Sequence, residues 1–348
     1  MTDLTRDTSA TAPPLTTRSV VRSRPFVVGL LVGVPLSAVF LWLALRGANL
    51  DEVRSTLAEA DLALVALAVA AIGTFYVGEA LRWRRVARTA AVPRARFVEM
   101  VVSAVTVNIL LPGRVGELLR VRWLQVSARL RAGRALAIVF VDRSFDILAL
   151  VVFLALSLPS VTSADWLRRI AVAGVALLVV IGLVLVAARA YTGRRPRERR
   201  AHRGWLRETV RDTLEVLAEP IGLRRTGVLV GMSLATWSAW ALAAMLVARA
   251  VGIELSISEA IFVTAVLNLG VAIPSAPGFV GTYQWLGVAA LGLVGVSTDT
   301  ALAFAILMHA VWYVPTLLVG GALLLRRGLG SVRKMSEGGL RTQGAGDA

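Results

Sequence analysis

Long apolar stretches recur along the chain at a length that suits helices crossing a membrane. A helix needs roughly 20 apolar residues to cross about 30 Å of hydrocarbon. Such stretches lie at residues 26–45, 62–81, 135–158, 170–188, 228–251 and 301–325. They are too long for barrel strands and lack the alternation that such strands show. The pattern therefore predicts an all-α, polytopic membrane helix bundle.

Two further apolar stretches are interrupted by proline and glycine. The first reads SAVTVNILLPGRVGE at residues 103–117, and the second reads TAVLNLGVAIPSAPGFVGTY at residues 264–283. Each places an asparagine, Asn108 or Asn268, before an apolar run, a proline and Gly-x-Val-Gly. Irregular backbone at membrane depth is tolerated where it faces protein or a cavity. We therefore expect two broken or re-entrant helical hairpins.

Arginine accounts for almost all of the formal net charge of +16 and is concentrated between the apolar stretches. Arginine-rich segments precede the first stretch, follow the second and fill residues 189–226. The positive-inside rule places these segments, and with them both termini, on the cytoplasmic side. We expect the loop at 189–226 to contact anionic lipids of the inner leaflet. Because no recognition motif accompanies these arginines, a nucleic-acid partner is not expected.

The order of spans predicts two halves of inverted topology, residues 26–158 and 159–328. Each half would contain spans and one broken hairpin, and the hairpins would enter from opposite sides of the membrane. Residues 1–25 and 329–348 are rich in small and charged residues, and we expect them to be disordered and cytoplasmic. Apolar positions around residues 205–217 predict an amphipathic helix that lies on the inner leaflet.

A charged triplet follows the first break. If a helix restarts near Gly113, then Arg114, Glu117 and Arg120 recur at i+3 and lie on one face. A carboxylate between two guanidinium groups would hold them in place and leave donors for a phosphate, which arginine binds bidentately. The alternative is an interfacial helix whose arginines pair loosely with lipid headgroups.

A second charged cluster lies within the span at 135–158. Asp142 and Asp146 are four residues apart and share a helix face with Arg143. Charge at this depth costs at least about 2.5 kcal/mol per residue unless it is paired or hydrated. These side chains should face the bundle interior, toward the helix that carries Arg114 to Arg120. They would line a functional cavity or form a structural ion pair.

No functional role is predicted for three other polar residues, Glu79, Arg82 and His309. Glu79 and Arg82 lie near the end of a predicted span, where their side chains can reach the interface. His309 is interpreted as a hydrogen-bonded core residue. The chain has no cysteine and two histidines, and no Walker motif is visible. We therefore predict no metal, no cofactor and no direct use of ATP.

Four motifs carry a resemblance to a known family. They are ALRW at residues 80–83, NILLPGRVGELLR at 108–120, VDRSFD at 141–146 and PSAPGFVGTYQ at 274–284. Together they resemble the flippase-like transmembrane domain family, named for the membrane half of bacterial lysylphosphatidylglycerol synthases, over roughly residues 26–328. The chain departs from the family pattern at Asp142 and Gln284, where a glutamate is usual. Because the chain ends at Ala348, we expect no soluble aminoacyl-transferase domain.

The resemblance implies movement of an amphiphilic lipid between the leaflets of a bacterial plasma membrane. The lipid would be an anionic or aminoacylated phospholipid or a polyprenyl-linked glycan. The implied substrate-binding residues are Asn108, Arg114, Glu117, Arg120, Asp142, Arg143, Asp146, Asn268 and Gln284. The implied gates are the hairpin residues Pro112, Gly113, Gly116, Pro274, Pro277, Gly278 and Gly281.

Two other functions remain open. The chain could be an integral-membrane transferase that uses Glu117, Asp142 or Asp146 as a base or as metal ligands on a lipid-linked substrate. It could also be a lipid-binding scaffold for a neighbouring lipid-modifying enzyme. The first alternative predicts turnover of a donor, and the second predicts lipid binding without movement.

Overall fold

The regular structure is helical throughout the part of the chain that the structure describes. This computed structural model describes residues 24–89, 92–111, 114–158, 205–218, 222–271, 273 and 275–343, and the isolated residues 161, 176, 180 and 183. The helices in these ranges are α1 (Arg24–Leu45), α2 (Leu50–Ala58), α3 (Leu62–Ala87), α4 (Arg94–Leu110), α5 (Val115–Ser127), α6 (Ala132–Ser157), α7 (Trp205–Ala218), α8 (Leu223–Ala250), α9 (Ile257–Gly270), α10 (Thr282–Gly292) and α11 (Thr298–Gln343). The all-α prediction is confirmed.

Several of these helices can cross a membrane. Among the described residues, three helices are long and apolar enough: α3, α8 and residues Thr298–Arg326 of α11. Residues Leu31–Leu45 of α1 and helix α2 form a pair bent by 85°, which is a fourth span if the pair crosses as one and a re-entrant loop otherwise. The multi-pass membrane prediction is therefore confirmed. The predicted span at 170–188 lies almost wholly outside the described residues.

The packing of the helices relates the first half of the sequence to the second. Helices α3 and α8 pack side by side, so closely that a Cβ on Gly78 would lie 2.5 Å from the Thr236 Oγ1. Helices α3, α4 and α6 of the first half can be matched, in this order, with α8, α9 and α11 of the second. The contacts then correspond. Helix α3 packs on α4 as α8 packs on α9, and α4 packs on α11 as α9 packs on α6. Two related halves would pack in this way. Their inverted orientation stays a prediction.

Helices from one sequence half pack on the other half. Helix α1 packs against α10 and against the 3-10 turn at Pro277–Phe279, and α2 packs against α11. Helix α7, from the second half, packs against α6 of the first. The two sequence halves are thus interlocked by their early helices.

Both predicted breaks are present. Helix α4 ends at Leu110 and α5 begins at Val115, which separates the first hairpin into two helices. Helix α9 ends at Gly270, and the chain passes through the 3-10 turn before α10 begins at Thr282. Three of the predicted gate residues, Pro112, Gly113 and Pro274, lie outside the described residues.

Two segments differ from their predictions. Helix α7 has the predicted amphipathic character, but part of it faces protein, because a Cβ on Gly133 of α6 would lie 2.4 Å from the Thr209 carbonyl oxygen and Leu217 is buried against Ala137. Helix α11 continues to Gln343, whereas the sequence predicted loss of regular structure from residue 329. An uninterrupted run without proline after Pro315 allows this extension.

Candidate functional site

Arg82 of α3 lies at the centre of a buried group of charges. Its side chain has no solvent exposure. Its Nε donates to the Asp142 Oδ1 at 2.9 Å, and its Nη1 donates to the Asp146 Oδ1 and, at 3.0 Å, to the Ser233 Oγ. Both aspartates come from α6 and are i,i+4 on one face, so a single guanidinium on α3 can contact both.

Glu79 joins the other two arginines to the same group. It lies one turn before Arg82 on α3 and accepts hydrogen bonds from the Arg120 Nη2 at 2.7 Å and from the Arg143 Nη2. Arg143 also lies 3.0 Å from both Asp142 and Asp146. We call this set the charge network; its members are Glu79, Arg82, Arg120, Asp142, Arg143 and Asp146.

The formal charges of the charge network cancel. Three guanidinium groups face three carboxylates, contributed by α3, α5 and α6. Taking an ion out of water costs several kcal/mol, and only close pairing offsets that cost. Helix α8 completes the arrangement, because the Trp237 Nε1 donates to the Asp146 Oδ1 at 3.0 Å. The second sequence half therefore contributes to a cluster whose charges all lie in the first.

One edge of the charge network is accessible. The Arg143 side chain is 30% exposed and that of Glu117 is 25% exposed, while the Arg120 side chain is 2% exposed. Arg114 is exposed and interacts electrostatically with both Glu117 and Arg143. We call Arg114, Glu117 and Arg143 the rim. A ligand would meet these side chains first.

Arg114 also links the two breaks. It precedes α5 with φ +54°, a left-handed conformation that is unusual for a residue with a Cβ. Its Nη2 donates to the Val271 carbonyl oxygen, 3.2 Å away at the end of α9. The first break thereby contacts the second through a side chain that also belongs to the rim.

Asn108 and Gly116 stabilise the first break. The Asn108 Oδ1 accepts a hydrogen bond from the Gly116 N–H at 2.7 Å, which satisfies one backbone donor at the start of α5. A Cβ on Gly116 would lie 2.0 Å from the Ala104 carbonyl oxygen. Glycine is therefore required where α5 crosses α4.

Gln284 and His309 stabilise the second break. The Gln284 Oε1 accepts from the Gly281 N–H at 2.7 Å, and its Nε2 lies 2.9 Å from the His309 Nδ1. Because the amide oxygen is an acceptor here, its nitrogen donates and the His309 Nδ1 accepts. His309 is buried and stacks on Trp312, which confirms the interpretation of a hydrogen-bonded core residue. A role for Gln284 in binding substrate stays a prediction.

Asn268 does not repeat the contact made by Asn108. Its Nδ2 donates to the Thr264 carbonyl oxygen within α9, at 2.8 Å. The backbone of the second break is instead supported from α1, where the Ser37 Oγ accepts from the Ala276 N–H at 2.7 Å. The two hairpins therefore share a sequence pattern but use different acceptors.

Three carboxylates of the charge network are close enough to share a cation. Oxygen atoms of Glu79, Asp142 and Asp146 all lie within 4.8 Å of one another. Carboxylate oxygens are the ligands that Mg²⁺ prefers. Each of these three side chains already contacts a guanidinium group, so a metal ion would have to displace arginine to bind.

The structure confirms one sequence expectation about the site and corrects another. The cluster on α6 faces the helix with Arg114 to Arg120, as predicted, because Asp142 lies 3.7 Å from the Arg120 Nη1. The interpretation of Glu79 and Arg82 as interfacial residues is wrong, since both are buried. Their i+3 spacing on an otherwise apolar face was the signal that a paired interior position was available.

Comparison with known proteins gives the family. Residues 26–320 match the family described as the lysylphosphatidylglycerol synthase TM region. The chain belongs to this family. The resemblance inferred from the motifs is thus confirmed, and the protein is a multi-pass membrane protein of a lipid-related family.

A curated relative bears a different name. The glycosyltransferase AglD of Haloferax volcanii is 29% identical over 347 residues, which cover 87% of this chain and 54% of the relative. The chain thus spans about half the length of the curated relative that it matches. That name belongs to the whole relative.

Proposed function

We propose that this protein moves a phosphate-bearing amphiphilic lipid between the leaflets of a bacterial plasma membrane, with both termini in the cytoplasm. The lipid is an anionic or aminoacylated phospholipid or a polyprenyl-linked glycan. The observation that carries the proposal is the buried charge network with an accessible rim at the junction of two broken hairpins. A headgroup that crosses hydrocarbon needs such a polar route.

The rim provides the first contact with the headgroup. Arg114 and Arg143 are accessible cations, and arginine binds phosphate bidentately. Glu117 lies between them and suits the ammonium group of an aminoacylated lipid. Arg120 lies deeper, where its Nε and Nη1 make no hydrogen bond to the described residues, although carboxylates lie at 3.9 and 3.7 Å. These donors are available to a phosphate that passes the rim.

The two hairpins act as the gates. Each break frees backbone donors that neutral side chains satisfy, Asn108 in the first and Gln284 with Ser37 in the second. The Arg114 contact with the Val271 carbonyl joins the gates. A phosphate that takes the Arg114 guanidinium removes this contact, so headgroup binding and gate separation are linked. The correspondence of helix pairs in the two halves supports an alternating use of the gates.

An integral-membrane transferase is the second candidate. It is favoured by the name of the AglD relative and by the three clustered carboxylates. It is disfavoured because each of those carboxylates is paired with arginine, which leaves none free as a base. Release of product from a sugar or aminoacyl donor by the purified protein would support it over lipid movement.

The test is a dithionite-quenching assay in proteoliposomes that contain fluorescent phosphatidylglycerol or lysyl-phosphatidylglycerol. We expect Arg114→Gln to slow lipid movement roughly tenfold or more, because a charge-assisted hydrogen bond contributes about 1.5–3 kcal/mol. Arg129→Gln is the matched control, since Arg129 is also exposed and also has positive φ (+52°) but lies beyond the far end of α5.

Two results would count against the proposal. Equal rates for both variants would remove the rim from the route. Transport would be excluded as the activity if the native protein moved neither these lipids nor a fluorescent polyprenyl-linked lipid in the same vesicles. Lipid binding without movement would favour the scaffold function.

A further inference from the structure

A continuous line of side chains runs from the charge network to the second hairpin. The Trp237 Nε1 binds Asp146, and the Trp237 ring lies 5.9 Å from Trp240. Trp240 lies 6.2 Å from Trp312, which stacks on His309 at 5.2 Å. His309 hydrogen-bonds Gln284. We call Trp237, Trp240, Trp312 and His309 the aromatic line.

Every member of the aromatic line is buried, and each end holds a functional group. The four residues are at most 7% exposed. At one end, Trp237 donates to a carboxylate that also pairs with Arg82 and Arg143. At the other end, His309 holds the amide that caps α10. Because protein interiors are packed as densely as organic crystals, a shift of one ring must displace the next.

The line lies on α8 and α11 of the second sequence half, and it begins at Asp146 of the first. Trp237 and Trp240 lie on α8, and His309 and Trp312 lie on α11. None of these side chains carries a formal charge, so the line itself offers no route for a headgroup. Its contacts connect the place where a headgroup would bind to the N-terminal cap of the helix that closes the second hairpin.

We propose that the aromatic line consists of positioning residues that couple the state of the charge network to the conformation of the second hairpin. The inference rests on the proposed function of the hairpins as gates. When a headgroup draws Arg143 away from Asp146, the carboxylate shifts toward Arg82, and Trp237 follows through its hydrogen bond. The displacement reaches His309 and weakens its hold on Gln284, so the cap of α10 opens. Headgroup binding in the first half thereby releases the gate in the second.

The test measures the second hairpin directly. The chain contains no cysteine, so pairs of cysteines can be introduced without background. Val280 in the second hairpin and Leu62 at the start of α3 are 46% and 79% exposed and suit spin labels. Double electron–electron resonance in nanodiscs then reports the distance between Val280→Cys and Leu62→Cys.

Three variants are compared in this labelled background. Asp146→Asn weakens the ion pairs, and Trp237→Phe keeps a ring but removes the donor to Asp146. We expect each to raise the population of a second distance about fivefold or more, within the usual range of allosteric coupling. The double variant should match the stronger single variant, because both act on one line.

Trp83→Phe is the matched control. Trp83 is buried on α3, with the Arg120 Cζ over its ring at 5.2 Å from the centroid, and its Nε1 has no hydrogen-bond partner among the described residues. Phenylalanine keeps a ring beneath Arg120 and removes no hydrogen bond from the charge network. The same substitution there should leave the distance distribution unchanged. Thermal unfolding is followed by intrinsic tryptophan fluorescence, and only variants that unfold cooperatively are compared.

Two outcomes would overturn the inference. An unchanged distribution in Trp237→Phe would exclude the aromatic line, and additive effects in the double variant would mean independent paths. Should Asp146→Asn not fold, Trp240→Leu interrupts the line without removing a charge and should act as Trp237→Phe does. The readout needs no lipid transport, so failure of the coupling and failure of the transport proposal are distinguishable.

Discussion

The two broken hairpins share a five-residue motif and differ in the chemistry around it. Arg114 and Phe279 are each the third residue of a Pro-Gly-x-Val-Gly sequence, and both have positive φ, +54° and +60°. The first break lies beside three arginines paired with three carboxylates and an accessible rim. The second lies beside a neutral amide, an imidazole and aromatic rings. The same motif therefore occurs in two environments, and only one of them suits a charged headgroup.

The comparison extends to how each hairpin satisfies its freed backbone donors. In the first hairpin, Asn108 reaches across the break to Gly116. In the second, Gln284 reaches back to Gly281 and Ser37 of α1 reaches Ala276. Both solutions use neutral side chains. Among the described residues, the charged side chains near the first break pair with one another, and Arg114 donates to the Val271 carbonyl oxygen of the second break.

The largest expected effect tests the charged environment. Arg82→Met removes one of the two cations that Asp142 and Asp146 share, Arg143 being the other, and leaves the charge network with one negative charge in excess. Breaking a buried pair in this way costs about 3–5 kcal/mol. The free energy of unfolding, measured by detergent titration with far-UV circular dichroism, should fall by this amount. Adding Asp142→Asn should recover part of it, since the formal charges then cancel again. A lone Arg82→Met with native stability would mean that the charge network is not needed for stability.

A second effect tests the close packing at the last glycine of each motif. A Cβ on Gly116 would lie 2.0 Å from a carbonyl oxygen, and a Cβ on Gly281 would lie 2.2 Å from the Ser37 carbonyl oxygen. Gly116→Ala and Gly281→Ala should each lower the free energy of unfolding by about 3 kcal/mol through overpacking. Gly73→Ala is the control, because its Cβ would meet nothing within 4 Å. If only one of the two hairpin variants were destabilised, close packing at this glycine would matter in only one of the breaks.

A third effect tests the neutral environment. Gln284→Leu keeps a similar volume but leaves the Gly281 N–H and the His309 Nδ1 without a partner. Leaving buried polar groups unsatisfied should cost about 2 kcal/mol. Gln284→Glu keeps the acceptor for Gly281 and should cost less. Thermal unfolding of the two variants ranks them, and the reverse order would contradict the assignment of Gln284 as the cap of α10.

The smallest effect separates the two asparagines. Asn108→Ala removes the acceptor for the Gly116 N–H and should cost about 1 kcal/mol, as the loss of a helix cap does. Asn268→Ala removes a donor to a carbonyl within its own helix and should cost less than about 0.5 kcal/mol. Matched detergent titrations compare the two variants. Equal losses would indicate that the hairpins use their asparagines alike.

Much of the site followed from the sequence, but its centre did not. Spacing along α6 correctly placed Asp142 and Asp146 on one face toward the interior, because a charge within an apolar helix must find a partner there. Arg82 was interpreted as interfacial because its position near the end of a span permits snorkelling. Its partners lie 60 and 64 residues away, and helix periodicity carries no information about contacts at that separation.

The sequence by itself determined that the chain lies in a membrane, that it is helical and where its two hairpins are interrupted. Apolar length specifies a membrane span, and the two Pro-Gly-x-Val-Gly motifs mark the breaks, whereas Pro35 and Pro315 lie inside continuous helices. Only the tertiary structure decided which charges pair, which of them stay accessible and which residues cap each break. Those outcomes depend on the packing of α3, α5, α6 and α8 against one another. The physical reason is that burying an ion is unfavourable until several helices bring its counter-ions within hydrogen-bond distance.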